Sequence, residues 1–214
     1  MDRFSDAFIE GDKIMQTLLA NGFNIHKPFS IGEMNIWNMD MGYGCGASRI
    51  VVWDNDSDYV VKIPICYGDE RYCIHEVELY EKAVECGLES HFAWCDCLGE
   101  YDGRNVYIME RLDCNENTFE DLTYTWRYES YCEERNLDPD EESSRQKYSH
   151  YFWDFYCDDD LVLEWFLSQF SEKISSQVRA FIDRWQINDI HAGNMGYRGS
   201  QPVLCDYAGF GWSC

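Results

Sequence analysis

Basic residues are scarce in this sequence. Only 17 Lys and Arg stand against 40 Asp and Glu, which gives a formal net charge of −23. Because such a surface repels a polyanion, we expect no nucleic acid as a partner. The same charge attracts cations. It therefore leaves open a cationic small molecule, or a basic protein partner bound through the acidic face.

Long apolar runs are also missing. No stretch approaches the roughly 18 consecutive apolar residues that cross a bilayer, and residues 1–22 lack the basic and apolar regions of a signal peptide. The eleven cysteines contain no C-x2-C pair. We therefore expect a cytoplasmic chain with reduced thiols and no membrane contact. A zinc site at Cys73, His75, Cys95 and Cys97 remains a weak alternative.

Hydrophobic residues make up 45% of the chain, enough to build a core. Their spacing predicts a helix from Ser5 to about Asn21 and another from Glu70 to Cys86. The pattern changes at Ile36, and from there runs rich in β-branched and aromatic residues predict strands. These runs are Ile50–Trp53, Tyr59–Ile63, Phe92–Leu98 and Val106–Leu112. The order predicts an α+β fold with a strand-rich first half and a helical second half.

Composition changes at Asp113. Residues 113–160 are acidic and aromatic and predict a solvated insertion with one or two helices. Helical spacing returns at 161–186, and a polar loop with a terminal hairpin follows at 187–211. We therefore divide the chain into an N-terminal lobe, residues 1–112, and a C-terminal lobe, residues 113–214.

A glycine-rich segment, Met41–Ser48, lies between two predicted strands. Gly42, Gly44 and Gly46 would let a backbone approach phosphate groups closely and point N–H groups at them. A plain glycine-rich turn is an equally ordinary explanation.

Lys62 interrupts the apolar run Val60–Ile63. An ammonium group there needs an anion nearby, unless the strand lies at an edge and the side chain reaches water. Glu76, on the next predicted helix, could supply the anion. Glu78 and Glu81 are alternatives that the sequence leaves open.

The loop Asp189-Ile-His191-Ala-Gly-Asn194 is followed, after a short apolar strand, by Asp206. Phosphoryl transfer needs a base for the attacking hydroxyl and oxygen ligands for magnesium, and Asp and Asn provide both. A polar loop that joins a helix to a hairpin is the simpler alternative, although each buried polar group there would need its own partner.

In this order the four motifs resemble the protein-kinase-like superfamily, and most closely the small-molecule phosphotransferases that act on aminoglycosides and choline. The resemblance implies a two-lobed fold: an N-terminal antiparallel sheet with one main helix, and a reduced, mostly helical C-terminal lobe. It also implies ATP and Mg²⁺ as cofactors.

The resemblance assigns a role to each motif. Lys62 would hold the α- and β-phosphates and Glu76 would orient it, while Asp189 would be the catalytic base and His191 would brace its loop. Asn194 and Asp206 would hold magnesium, with Asp206–Gly209 similar to the D-F-G segment. Backbone groups from Glu110 to Leu112 would hold adenine. The implied reaction is transfer of the γ-phosphoryl group to the hydroxyl of a small-molecule acceptor, and the net charge suggests a cationic one.

The sequence departs from the family pattern in three places. The glycines read G-x-G-x-G, Asn188 stands where protein kinases carry an arginine, and the chain ends eight residues after Asp206. The last feature leaves no room for an activation segment, which argues against phosphorylation of proteins. A nucleotide-binding module without turnover and an interaction protein without nucleotide are the alternative functions.

Overall fold

The computed structural model describes residues 3–34, 36–114, 116–155 and 158–208. The fold is α+β, as predicted, with helices and an antiparallel sheet. The chain forms two compact units, Met1–Leu112 (unit 1) and Asp113–Cys214 (unit 2).

The described part of unit 1 contains a five-stranded antiparallel sheet and two α-helices. The sheet has the order β1-β2-β3-β5-β4, so β3 lies at its centre. The elements are helices α1 Arg3–Ala20 and α2 Glu70–Glu85, and strands β1 Met41–Cys45, β2 Arg49–Asp54, β3 Tyr59–Pro64, β4 Cys95–Tyr101 and β5 Arg104–Glu110.

The last two strands of unit 1 lie two to three residues away from their predicted positions. Asp102 and Gly103 have φ of 49° and 76°, the left-handed pair that a two-residue hairpin turn requires. Because the turn is so short, β4 and β5 remain paired up to Tyr101 and Arg104. Residues 92–94 and 111–112, which the apolar pattern assigned to strands, lie outside them.

The two faces of the sheet differ in chemistry. Val61, Ile63 and Val106 are fully buried in one apolar cluster with Ile14 and Leu18 of α1. Since successive side chains of a strand point to opposite faces, Lys62, between Val61 and Ile63, faces away from α1. Helix α2 packs against β3 and β4. One helix therefore covers the apolar face, and the central strand presents Lys62 on the other.

In its described residues, unit 2 contains four α-helices followed by a two-stranded antiparallel hairpin. The elements are α3 Glu116–Glu134, α4 Glu142–Phe155, α5 Asp158–Ser168, α6 Glu172–Trp185, β6 Met195–Arg198 and β7 Gln201–Leu204. Asp113 and Tyr197 exchange backbone hydrogen bonds of 3.2 and 2.9 Å, which tie the start of the unit to the hairpin. No helix within the described ranges is both long and apolar enough to cross a bilayer.

Residues 113–160 contain helices α3 and α4, and most of their described side chains are at least partly exposed, but these helices also take part in the core of unit 2. Helix α3 packs against α5 and against the turn Ala192–Asn194, and it also contacts α4. The rings of Tyr128 and Tyr131 lie 5.2 Å from that of Tyr148, which is fully buried. The acidic residues of this segment indicate the solvated side of the helices, whereas its aromatic residues pack together in a core.

Arg104 provides a test of what holds unit 1 together. Its guanidinium group is buried and donates hydrogen bonds to the carbonyls of Ile25 and Pro64, both at 2.8 Å. We expect Arg104→Met to lower the free energy of unfolding by about 2–4 kcal/mol, because buried carbonyls lose a charged donor. Urea denaturation measures the change. Arg71→Met, at an exposed position of α2, is the matched control, and an equal loss in both variants would contradict the expectation.

Candidate functional site

Lys62 and Glu76 form a buried ion pair. Lys62 is 3% exposed and Glu76 is 1% exposed, and Lys62 Nζ donates to Glu76 Oε2 at 2.7 Å. The edge-strand alternative for Lys62 is wrong, since β3 is the central strand. Of the other glutamates on α2, Glu78 has a side chain that is 65% exposed and lies 3.7 Å from His75, and Glu81 is exposed.

A second cation, which the sequence pattern did not reveal, lies at this pair. Arg49, on β2, places Nη1 3.7 Å from the same oxygen of Glu76 and 3.9 Å from Cys73 Sγ. Burial disfavours the charged guanidinium, but Glu76 and Cys73 outweigh burial and raise the pKa of Arg49. The only sequence signal was an arginine directly before the apolar run Ile50–Trp53.

The glycine-rich segment is mainly a strand, not a loop between strands. Gly42 and Gly44 belong to β1 and pair with Trp53 and Val51 of β2, and Gly46 lies in the turn that follows. The glycines therefore lie in an edge strand and in the tight turn that connects it to β2.

The three glycines have different steric surroundings. A Cβ on Gly42 would lie 2.4 Å from the Trp53 indole, so packing alone requires glycine there. A Cβ on Gly44 would meet nothing within 4 Å, and one on Gly46 would meet only the Arg49 carbonyl at 3.5 Å. Neither Gly44 nor Gly46 has a left-handed φ. Within the described part of the chain, the fold therefore gives no steric reason for glycine at these two positions.

The predicted adenine-binding segment is partly engaged in the sheet. The N–H of Glu110 donates to the Trp94 carbonyl at 2.9 Å, and the N–H of Arg111 donates to the Asp58 carbonyl at 2.7 Å. The Glu110 carboxylate accepts the Trp94 N–H at 2.9 Å. The N–H groups of Glu110 and Arg111 are therefore already engaged within unit 1.

In unit 2, Asn194 ties the Asp189 loop to the hairpin. Its Nδ2 donates to the Asp189 carbonyl at 2.8 Å, and its N–H donates to the His191 carbonyl at 2.9 Å. Its own carbonyl accepts the Cys205 N–H at 2.9 Å. Asn194 thus holds together the two segments that carry Asp189 and Asp206.

His191 has the geometry of a brace. Its Nδ1 accepts the N–H of Gly193 at 3.1 Å, which places the proton of the neutral ring on Nε2. Nε2 lies 3.8 Å from Asp189 Oδ1, beyond hydrogen-bond distance. The ring therefore supports the turn that follows Asp189.

The two candidate site aspartates of unit 2 have left-handed backbones. Asp189 has φ of 66° and Asp206 has φ of 56°. Such conformations cost about 1–3 kcal/mol each in residues other than glycine, although Asp tolerates them better than most. Asp206 follows β7 by two residues, and Gly209 of the proposed D-F-G-like segment lies outside the described residues.

The donor atoms of unit 2 suit a hard cation. Because Asn194 Nδ2 donates to the Asp189 carbonyl, the amide oxygen is the atom of this side chain that could bind a cation, and the carboxylate of Asp206 offers further oxygen atoms. Among the described residues, no three His, Cys, Asp or Glu side chains are grouped to hold a metal. That finding gives the zinc alternative no geometric support.

No protein-family model matches the chain, and neither do curated proteins or solved structures. The geometry of the two units therefore carries the functional interpretation.

The contrast between Gly42 and Gly44 can be measured. We expect Gly42→Ala to lower the free energy of unfolding by about 1–3 kcal/mol, because the methyl group would collide with Trp53. Gly44→Ala, two residues along the same strand, should leave it unchanged or raise it by up to about 1 kcal/mol, since glycine weakens a strand interior. Urea denaturation of both variants decides the matter, and a large loss in Gly44→Ala would show a steric constraint there.

Proposed function

We propose that this protein is a protein-kinase-like, ATP-dependent phosphotransferase that transfers the γ-phosphoryl group to a hydroxyl of a small-molecule acceptor. The observation that carries the proposal is the buried pair of Lys62 on the third strand and Glu76 on the next helix. Protein kinases place the lysine that contacts the nucleotide phosphates, and its glutamate partner, on the corresponding elements.

The energetics of the pair also favour a functional role. A buried ion pair rarely stabilises a fold more than apolar residues of the same volume would, because both charges lose their hydration. Lys62 lies in a run of valine and isoleucine, where an apolar residue would be the simpler choice for stability. An anionic ligand such as a phosphate gives the lysine a role that packing does not.

In the proposed reaction each residue acts on a defined atom. Asp189 would accept the proton of the acceptor hydroxyl as the new oxygen–phosphorus bond forms. The bond between the γ-phosphorus and its bridging oxygen would break, with ADP as the leaving group. Lys62, oriented by Glu76, would stabilise the negative charge on the departing phosphates, and Gly44 and Gly46 would admit the phosphates close to the backbone.

Magnesium, when bound, would neutralise phosphate charge and align the γ-phosphoryl group. Asn194 and Asp206 are the residues that would hold it. The net charge of −23 favours a cationic acceptor over an anionic one.

A nucleotide-binding module without turnover is the second candidate. The Lys62–Glu76 pair supports it equally, because the pair would contact phosphates whether or not Asp189 acts as a base.

The first test is thermal unfolding with and without ATP, each with and without magnesium. At about one hundred times its Kd, a ligand that binds only the folded state adds roughly 2.7 kcal/mol, a rise in Tm of roughly 5–10 °C for a chain of this length. Asp206→Asn should lose most of the magnesium-dependent gain, since the amide is a weaker ligand. Asparagine also accepts the left-handed backbone at Asp206, so the fold is spared.

Asp102→Asn, another aspartate with a left-handed backbone, is the matched control and should keep the full gain. If millimolar magnesium-ATP leaves the Tm of the wild type unchanged, both nucleotide-binding candidates are wrong, and the acidic surface becomes the feature to explain.

Asp189→Asn separates the two candidates. We expect the variant to bind magnesium-ATP as the wild type does and to lose phosphoryl transfer by at least about a hundredfold, because the amide cannot accept the hydroxyl proton. The measurement is ADP release in a screen of hydroxyl-bearing amines. Equal, acceptor-independent ADP release by wild type and variant would favour the module without turnover.

A further inference from the structure

Helix α2 is attached to the sheet through three successive turns. Glu70 Oε1 accepts hydrogen bonds from Asn105 Nδ2 at 2.6 Å and from the Tyr107 hydroxyl at 3.2 Å. One turn later Cys73 contacts Arg49, and one turn beyond that Glu76 contacts Lys62. Residues three apart lie on the same helix face, so α2 presents one continuous polar stripe to the sheet.

The middle of this stripe is organised by Arg49. It lies on β2, next to β3, and its guanidinium reaches both Cys73 and Glu76. Arg49 and Lys62 therefore meet the same oxygen of Glu76 from neighbouring strands.

The thiol does not compete for the cations. Burial raises the pKa of the Cys73 thiol, so the group stays neutral near pH 7. The carboxylate of Glu76 is thus the anion of this cluster, and its orientation depends on both cations. Its Oε1, also buried, has no hydrogen-bond partner among the described residues, so the contacts at Oε2 set the rotamer.

We propose that Arg49 is a positioning residue: it fixes Glu76, and through Glu76 the ammonium of Lys62, in the arrangement that binds nucleotide phosphates, without any activating event. The inference rests on the proposed function. Protein kinases control their activity by moving the helix that carries the glutamate. Here α2 is held by contacts from β2, β3 and β5 on three turns, so the ion pair is constitutive.

The test compares Arg49→Met with the wild type by calorimetric titration with magnesium-ATP, at a temperature where both are folded. We expect the Kd of Arg49→Met to rise about tenfold. Arg49→Lys should recover most of the loss, because it restores a cation near Glu76. In a Glu76→Gln background, Arg49→Met should change the Kd less than about twofold, since the carboxylate through which Arg49 acts is gone.

A second measurement does not depend on nucleotide. Hydrogen exchange in the unliganded protein should be faster across α2 in Arg49→Met than in the wild type, with α1 unchanged as the internal control. If Arg49→Met does not fold, Arg49→Gln replaces it, since glutamine cannot neutralise the carboxylate either.

Each outcome has one meaning. A lower Tm with an unchanged Kd would show that Arg49 only stabilises the fold, and it would overturn the inference. An equal effect of Arg49→Met with and without Glu76 would also overturn it, because Arg49 would then act independently of Glu76. If the wild type itself does not bind magnesium-ATP, the proposed function fails. Hydrogen exchange would then still support or overturn the claim that Arg49 holds α2.

Discussion

The buried carboxylate of Glu76 is the group on which the arrangement of unit 1 depends. Lys62 and Arg49 reach its Oε2 from two neighbouring strands, and helix α2 brings the carboxylate to them. Hydrophobic contacts are non-directional and would allow α2 to slide or rotate on the sheet, whereas ion pairs and hydrogen bonds have short range and fixed geometry. A buried carboxylate that lost its cations would cost several kcal/mol. The cluster therefore specifies one position of the helix, although it adds little to stability compared with an apolar interface.

This constraint also fixes the register of the sheet. Val61 and Ile63 belong to the apolar cluster beneath α1, and Lys62 lies between them on the opposite face. A slip of β3 by one residue would place the ammonium in the apolar core and remove two core side chains from it. The alternation in Val61-Lys62-Ile63 is thus a strong determinant of strand pairing, and the same alternation brings Lys62 to Glu76. Fold and candidate site share one sequence pattern in unit 1.

That shared pattern explains which features could be predicted from the sequence. Periodicity and turn residues, which are local properties, predict the strand that carries Lys62, the helix that carries Glu76 and the hairpin after Asp189. Arg49 was missed because its partner lies 27 positions along the chain, and an arginine at a strand start is ordinarily solvated. The packing of α3 was missed because tyrosines stabilise a core only when another helix covers them, and no local pattern reveals that. The engagement of the Glu110 N–H depends on the exact end of β5, the least predictable property of a strand.

Each unit keeps an arrangement of side chains or backbone that costs folding free energy. Unit 1 keeps a buried cluster of two cations and a carboxylate, and unit 2 keeps Asp189 and Asp206 in left-handed conformations held by Asn194. Each arrangement costs free energy that apolar residues or glycine would save. If both serve only the fold, two unrelated reasons are needed. The proposed function would give each arrangement a reason within its own unit, because phosphates would call for the lysine of unit 1 and a metal ion would call for the oxygen donors of unit 2.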